Sequence, residues 1–145
     1  MKHLALPVWL AAGIIATTAG ADAQLVGPNS SLSLRAAMEG AGRQVFIDHC
    51  AACHTPKRDT RVLLAPSLQG IIGRPAASVA GFPYSDAMKN WGLVWTEDNL
   101  RKFIADSTHT VPETLMPHAS ISDPAEQTYL IAYLRTLKPS GAPAR

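Results

Sequence analysis

Apart from Cys50 and Cys53 the chain contains no cysteine, which excludes a multi-disulfide scaffold and a four-cysteine zinc site. Aromatic side chains are scarce, with 3 each of Phe, Tyr and Trp among 145 residues, so the core must be largely aliphatic. Neither sign of charge dominates. The 13 Lys and Arg against 11 Asp and Glu give no basic surface of the kind nucleic acid requires. No segment alternates as a strand does, and no repeat or low-complexity tract appears. No carboxylate pair or nucleophile–base signature points to hydrolysis.

Long apolar runs are also missing, except at the start. Met1-Lys2-His3 precedes an apolar stretch from Leu4 to about Ala19, which gives way to Ala21-Asp22-Ala23. A basic start, an apolar middle and an Ala-x-Ala ending match a cleavable export signal over residues 1–23. Pro7 interrupts the run, which is shorter than the roughly 20 residues of a spanning helix. An uncleaved anchor is the competing reading. Cleavage would leave a chain beginning at Gln24, destined for the periplasm, with its net charge still +2 because Lys2 and Asp22 leave together. Residues 24–36 carry turn formers without a period and read as a flexible extension, and 140–145 as a flexible tail. The domain proper is then 37–139, small enough that a cofactor would help it fold.

Within it every periodic segment is helical. Met38, Ala41, Val45, Phe46 and His49 recur at helical spacing up to Cys50. Gly40 and Gly42 weaken that helix by about 1 kcal/mol each relative to Ala, a cost that close approach of another backbone would justify. Residues 55–84 are punctuated by Pro and Gly and read as a long loop, of a length that a wrapped cofactor would explain. Ser85 caps a short helix ending before Gly92. Thr96 caps another that carries Leu100, Phe103 and Ile104 on one face. Asp123 and Pro124 open the last, whose stripe is Leu130, Tyr133, Leu134 and Leu137, with Pro139 beyond it. The fold class is all-α.

Cys50-Ala51-Ala52-Cys53-His54 admits four readings. A disulfide would close too small a loop to stabilise much. A thioredoxin-like pair needs an α/β surround, and zinc needs further ligands. The fourth reading uses all three residues: two thiols on one helical turn add to the vinyl groups of a haem, and the adjacent imidazole lies beneath the iron. One covalent haem c, with His54 as an iron ligand, follows. For the opposite iron position the candidates are Met38, Met88, Met116, His49, His109 and His118. Most methionines only fill core gaps. Met116 differs because it sits in an irregular segment, Val111 to Pro117, between two helices.

The motif, Pro66-Ser67-Leu68-Gln69-Gly70-Ile71-Ile72-Gly73-Arg74, Gly81-Phe82-Pro83-Tyr84-Ser85-Asp86-Ala87, Gly92-Leu93-Val94-Trp95, Pro112-Glu113-Thr114-Leu115-Met116 and Leu130-Ile131-Ala132-Tyr133-Leu134 follow one another in the chain. In that order they resemble the class I c-type cytochromes, the group of bacterial cytochrome c2 and mitochondrial cytochrome c. The resemblance runs from about Ala37 to Leu137. It implies crossing N- and C-terminal helices, in which Gly42 and Phe46 meet Leu130 and Tyr133, with long loops around the haem. It implies Met116 as distal iron ligand and the Pro66 carbonyl as acceptor from His54. Arg74, Tyr84 and Trp95 match residues that hold the haem propionates, and Thr114 the hydroxyl beside the inner one. Plain core packing is the other reading of Tyr84 and Trp95.

The resemblance further implies a soluble, monomeric, non-enzymatic carrier without stable membrane insertion. It would pass single electrons from a quinol-oxidising complex or dehydrogenase to an oxidase or reaction centre. Two rivals remain: a haem subunit dedicated to one dehydrogenase, and a haem protein that binds small ligands or reacts with peroxide. The chain departs from the family pattern in three places. Phe103 stands where many relatives have a Tyr that donates to the methionine sulfur, and Met88 where an Asn is common. Familiar relatives surround the haem edge with lysines; here the flanking positions are His49, Leu115, Pro117 and His118, the last where an aromatic is usual, and only Lys57, Lys89, Lys102 and Lys138 remain after the signal. Steering by charge is therefore weak. His118 is a further candidate for the iron.

Overall fold

The computed structural model describes residues 28–57, 64–116 and 120–139. The expected signal, the start of the extension, residues 58–63, Pro117, His118 and the tail lie outside them. Among the described residues five helices follow in order: α1 (Pro28–His49), α2 (Asp86–Asn90), α3 (Glu97–Ala105), α4 (Ser107–Thr110) and α5 (Pro124–Thr136). Among the described residues there is no strand, and the only bridge is an isolated antiparallel pair, Pro75 with Val94. The chain is all-α.

Its frame is the packing of α1 against α5. A Cβ added at Gly42 would overlap the Tyr129 carbonyl and lie 2.9 Å from the Tyr133 Cβ, so only glycine lets the two backbones come this close. One turn on, the rings of Phe46 and Tyr133 stack tilted at 5.4 Å. Gly40, by contrast, has nothing within 4 Å of a notional Cβ. Val45 and Phe46 of α1 are buried with Leu130, Ile131 and Leu134 of α5, while His49, expected on the same stripe, is exposed.

Helix α1 begins earlier than its apolar spacing predicts. Residues 28–36, read as part of a flexible extension, are helical. Proline at the first helical position loses no hydrogen bond, and the serines that look like turn formers are tolerated in an exposed first turn. Residues 29–37 are all exposed, so no core contact left a period to read there.

The other caps form as expected. Ser85 accepts from the Met88 N–H at 3.2 Å and Thr96 from the Asn99 N–H at 3.1 Å. Asp123 accepts from the Ala125 N–H at 2.7 Å, with Pro124 opening α5. Leu100, Phe103 and Ile104 of α3 are buried, and Arg135 of α5 pairs with Glu97 of α3 through two bonds of 2.5 and 2.6 Å. Helix α4 had no sequence signal beyond its cap, Asp106, which accepts from the His109 N–H at 2.9 Å.

Candidate haem-binding site

The site grows from the end of α1. Past His49 the chain keeps helical bonding for one more turn: the N–H groups of Cys50 and Ala51 both donate to the Phe46 carbonyl at 2.9 Å. Those of Cys53 and His54 donate to the Cys50 carbonyl at 3.1 and 2.8 Å. Cys50, Cys53 and His54 are thus fixed by backbone alone on one turn. Both cysteines are free thiols, Cys50 buried and Cys53 exposed. Burial, reinforced by Cys53, pushes the Cys50 thiol up to about 11, so it is neutral at neutral pH.

His54 is 7% exposed. Its Nδ1 lies 2.7 Å from the Pro66 carbonyl oxygen. A carbonyl can only accept, so Nδ1 carries a proton, and in the neutral ring Nε2 keeps its lone pair. Burial holds the imidazole below the ordinary histidine range, the Pro66 bond opposing and nearby Arg74 adding to the effect. A neutral ring oriented by its second nitrogen is the state in which histidine ligates a metal.

The Pro66 loop is itself braced. The Leu68 N–H donates to the Thr55 carbonyl at 2.9 Å, and the Arg74 guanidinium donates to the carbonyls of Gln69 and Ser67, both at 2.9 Å. Arg74, expected at the propionates, therefore also braces the loop that carries Pro66. The Trp95 N–H donates to the Arg74 carbonyl at 2.9 Å, and its buried ring stands 4.9 Å from Trp91 and 5.0 Å from Phe103. Tyr84 is half-buried beside Phe82. Burial raises its phenol above the ordinary value, partly offset by a backbone hydrogen bond from Val79.

Among the other candidate iron ligands Met88 is buried in the core, Met38 lies partly buried along α1, and His49 and His109 are exposed. Met116 is partly buried and packs against the core cluster, as Tyr84 does. Its N–H reaches the Thr114 hydroxyl at 3.4 Å, and its carbonyl accepts from the Ser107 hydroxyl at 2.5 Å. Ser107, 1% exposed, is the residue that sequence reasoning missed. After Asp106 it reads as an ordinary capping segment, yet it continues the buried stripe of Leu100, Phe103 and Ile104 toward Val111.

The donor set suits haem better than a bare ion. Among the described residues no three His, Cys, Asp or Glu side chains come together to hold a metal. Two free thiols and a neutral imidazole on one turn can instead grip a flat macrocycle at its edge and beneath its centre. Fold and site together define an all-helical protein that carries one haem c, bound covalently through Cys50 and Cys53.

Comparison with known proteins gives the same answer. The family model for cytochrome c matches residues 40–138. Cytochrome c2 of Blastochloris viridis is 36% identical over 114 residues, covering 78% of this chain and 89% of that one. Cytochrome c2 of Rhodoblastus acidophilus is 37% identical over 102 residues, covering 70% and 94%. Among solved structures, cytochrome cH from Methylobacterium extorquens superposes with a TM-score of 0.61 at 36% identity, covering 68% of this chain and 97% of that one. The chain belongs to the cytochrome c family, whose members are monohaem electron carriers.

Proposed function

We propose that this chain is a periplasmic shuttle that passes single electrons between two proteins, and that His54 and Met116 would hold its haem iron. The observation that carries the reading is the bond between His54 Nδ1 and the Pro66 carbonyl at 2.7 Å, which aims a neutral, buried imidazole as a ligand. Bound haem supplies an iron that alternates between ferric and ferrous. A thioether donor from Met116 beside the histidine would favour the ferrous state and raise the potential. Trp95, Phe103 and Met88 are buried in the core cluster against which Met116 packs, and would keep water from the distal side. Trp95, Tyr84, Arg74 and Thr114 would neutralise or hydrogen-bond the propionates, since buried charge needs partners.

Export by the N-terminal signal and residence in the periplasm accord with the cytochrome c2 relatives. Among the described residues no helix is long and apolar enough to cross a membrane. The donor would be a quinol-oxidising complex or a dehydrogenase, the acceptor an oxidase or reaction centre. Leu115, 70% exposed, supplies apolar docking surface where steering lysines are few. The test is electron transfer by the purified holoprotein to candidate oxidases and from candidate dehydrogenases, alongside carbon monoxide addition to the ferrous form. Turnover with inertness to carbon monoxide is the expected result. Rapid carbon monoxide binding at neutral pH would identify a ligand-binding haem protein instead, and a stoichiometric partner on purification would identify a dedicated subunit.

A further inference from the structure

Ser107 opens α4 with its side chain buried, and its hydroxyl donates to the carbonyl of Met116, nine residues downstream, at 2.5 Å. A serine in a first helical turn ordinarily turns its hydroxyl back to the helix's own free N–H groups. Here Asp106 already fills that role through the His109 N–H, which leaves the Ser107 hydroxyl for the loop. The position of Ser107 does not depend on that loop's tip, because its carbonyl accepts from the Val111 N–H at 2.9 Å.

The loop turns on the Thr114 N–H, which donates to the Val111 carbonyl at 3.1 Å, but it holds Met116 itself weakly. The Thr114 hydroxyl is 3.4 Å from the Met116 N–H, and Glu113 takes a φ of 63°, a region that side chains other than glycine disfavour. Downstream among the described residues, the Ile121 N–H donates to the Ile104 carbonyl at 2.8 Å. Fixing the Met116 carbonyl fixes the peptide plane that follows its Cα, and so constrains the direction in which the thioether leaves the backbone.

We infer that Ser107 is a positioning residue for the distal ligand: its buried hydroxyl holds the Met116 backbone so that the thioether keeps the iron against outside ligands. This rests on the reading of Met116 as that ligand. Losing one buried hydrogen bond is worth about tenfold in the competition between the sulfur and a ligand from solution.

The experiment is imidazole titration of the ferric holoprotein, read together with the weak red absorption band of sulfur-ligated ferric haem. Ser107→Ala is expected to bind imidazole about tenfold more tightly than the parent. Ser107→Thr and Ser107→Val have nearly the same shape and differ in the hydroxyl, so their ratio carries the test even where alanine leaves the holoprotein unstable. Thr is expected to behave as the parent and Val as Ala. Equal affinities for Thr and Val would overturn the inference. So would a lowered urea midpoint in Ser107→Ala with unchanged imidazole affinity, which would make Ser107 merely structural. Met116→Ala separates the two claims. Survival of the red band in that variant would overturn the Met116 reading and this inference with it. Loss of the band, with parental imidazole affinity in Ser107→Ala and Ser107→Val, would overturn only the role of Ser107.

Discussion

His54 is reached from the 22-residue helix α1 through one further turn of backbone hydrogen bonds, whereas Met116 lies in an irregular loop and is held from outside that loop by the buried Ser107 hydroxyl. The histidine side needs no tertiary contact to bring Cys50, Cys53 and His54 onto one turn, and uses the packed core chiefly to bury and orient the ring. The methionine side has no such local order. Its geometry comes from α3, α4 and the residues that brace them, and it includes a non-glycine residue at positive φ. A site built this way has one rigid wall and one adjustable wall. Variation in potential and ligand access between relatives should then concentrate on the adjustable one.

The largest effect should come from breaking the rigid wall. Gly42→Ala forces a methyl group onto the Tyr129 carbonyl and the Tyr133 Cβ. It should cost about 3 kcal/mol, the upper end for overpacking a core, seen as a lowered urea midpoint of the holoprotein. Gly40→Ala, two residues away with open space around it, should stabilise by about 1 kcal/mol as an ordinary helix substitution. Equal effects at the two glycines would show that the α1–α5 approach does not depend on Gly42.

The same contrast decides how much could be read in advance. The haem clamp, the caps Ser85, Thr96 and Asp123, and the buried stripe of α3 are local patterns of spacing and residue type. The stripe of α5 is met at Leu130 and Leu134, but Ile131 is buried where Tyr133 and Leu137 were expected, and those two are only partly buried, Leu137 lying just past the end of the helix. Gly42 was legible too, because a glycine inside a helix has a cost that asks for a reason. Ser107 was not. A serine that follows a capping aspartate looks solvent-facing, and only the return of the Met116 loop buries it. Arg74 was singled out only through the family resemblance, as a partner for the propionates, and not as a brace for the carbonyls of Ser67 and Gln69, since backbone acceptors leave no trace in sequence. The early start of α1 was hidden for the opposite reason: an exposed helix segment has no apolar period to betray it.

Two further substitutions probe the adjustable wall. Phe103 is buried, edge-on to Trp95, at the position where the family resemblance implies, for many relatives, a Tyr that donates to the methionine sulfur. Phe103→Tyr should withdraw electron density from the thioether and raise the reduction potential. A bond worth about 1 kcal/mol corresponds to roughly 40 mV for one electron. An unchanged or lower potential by redox titration would mean that the tyrosine does not reach the sulfur. Glu113→Gly should remove about 1–2 kcal/mol of positive-φ strain, less about 0.5–1 kcal/mol of added freedom in the unfolded chain. The net is a gain of about 1 kcal/mol or less in holoprotein stability, and a loss on urea unfolding would show that the Glu113 side chain makes contacts worth more than its strain.

The smallest effect belongs to the contact that joins the two walls. Glu97 of α3 and Arg135 of α5 form a two-pronged pair, and the arginine bond holds the Glu97 carboxyl below its ordinary value of 4.5. Both side chains are substantially exposed, so the pair is worth about 0.5 kcal/mol, the range of surface ion pairs with good geometry. A carboxyl whose pKa is lower folded than unfolded releases its proton more readily in the native state. Its stabilisation is therefore complete above about pH 4.5 and fades as the pH falls through the lower, folded value. Urea midpoints of the parent and Glu97→Gln should differ near neutrality and converge in acid. A difference that persisted at low pH would mean that Glu97 joins α3 to α5 by packing rather than by charge, and that the two walls are coupled through the core alone.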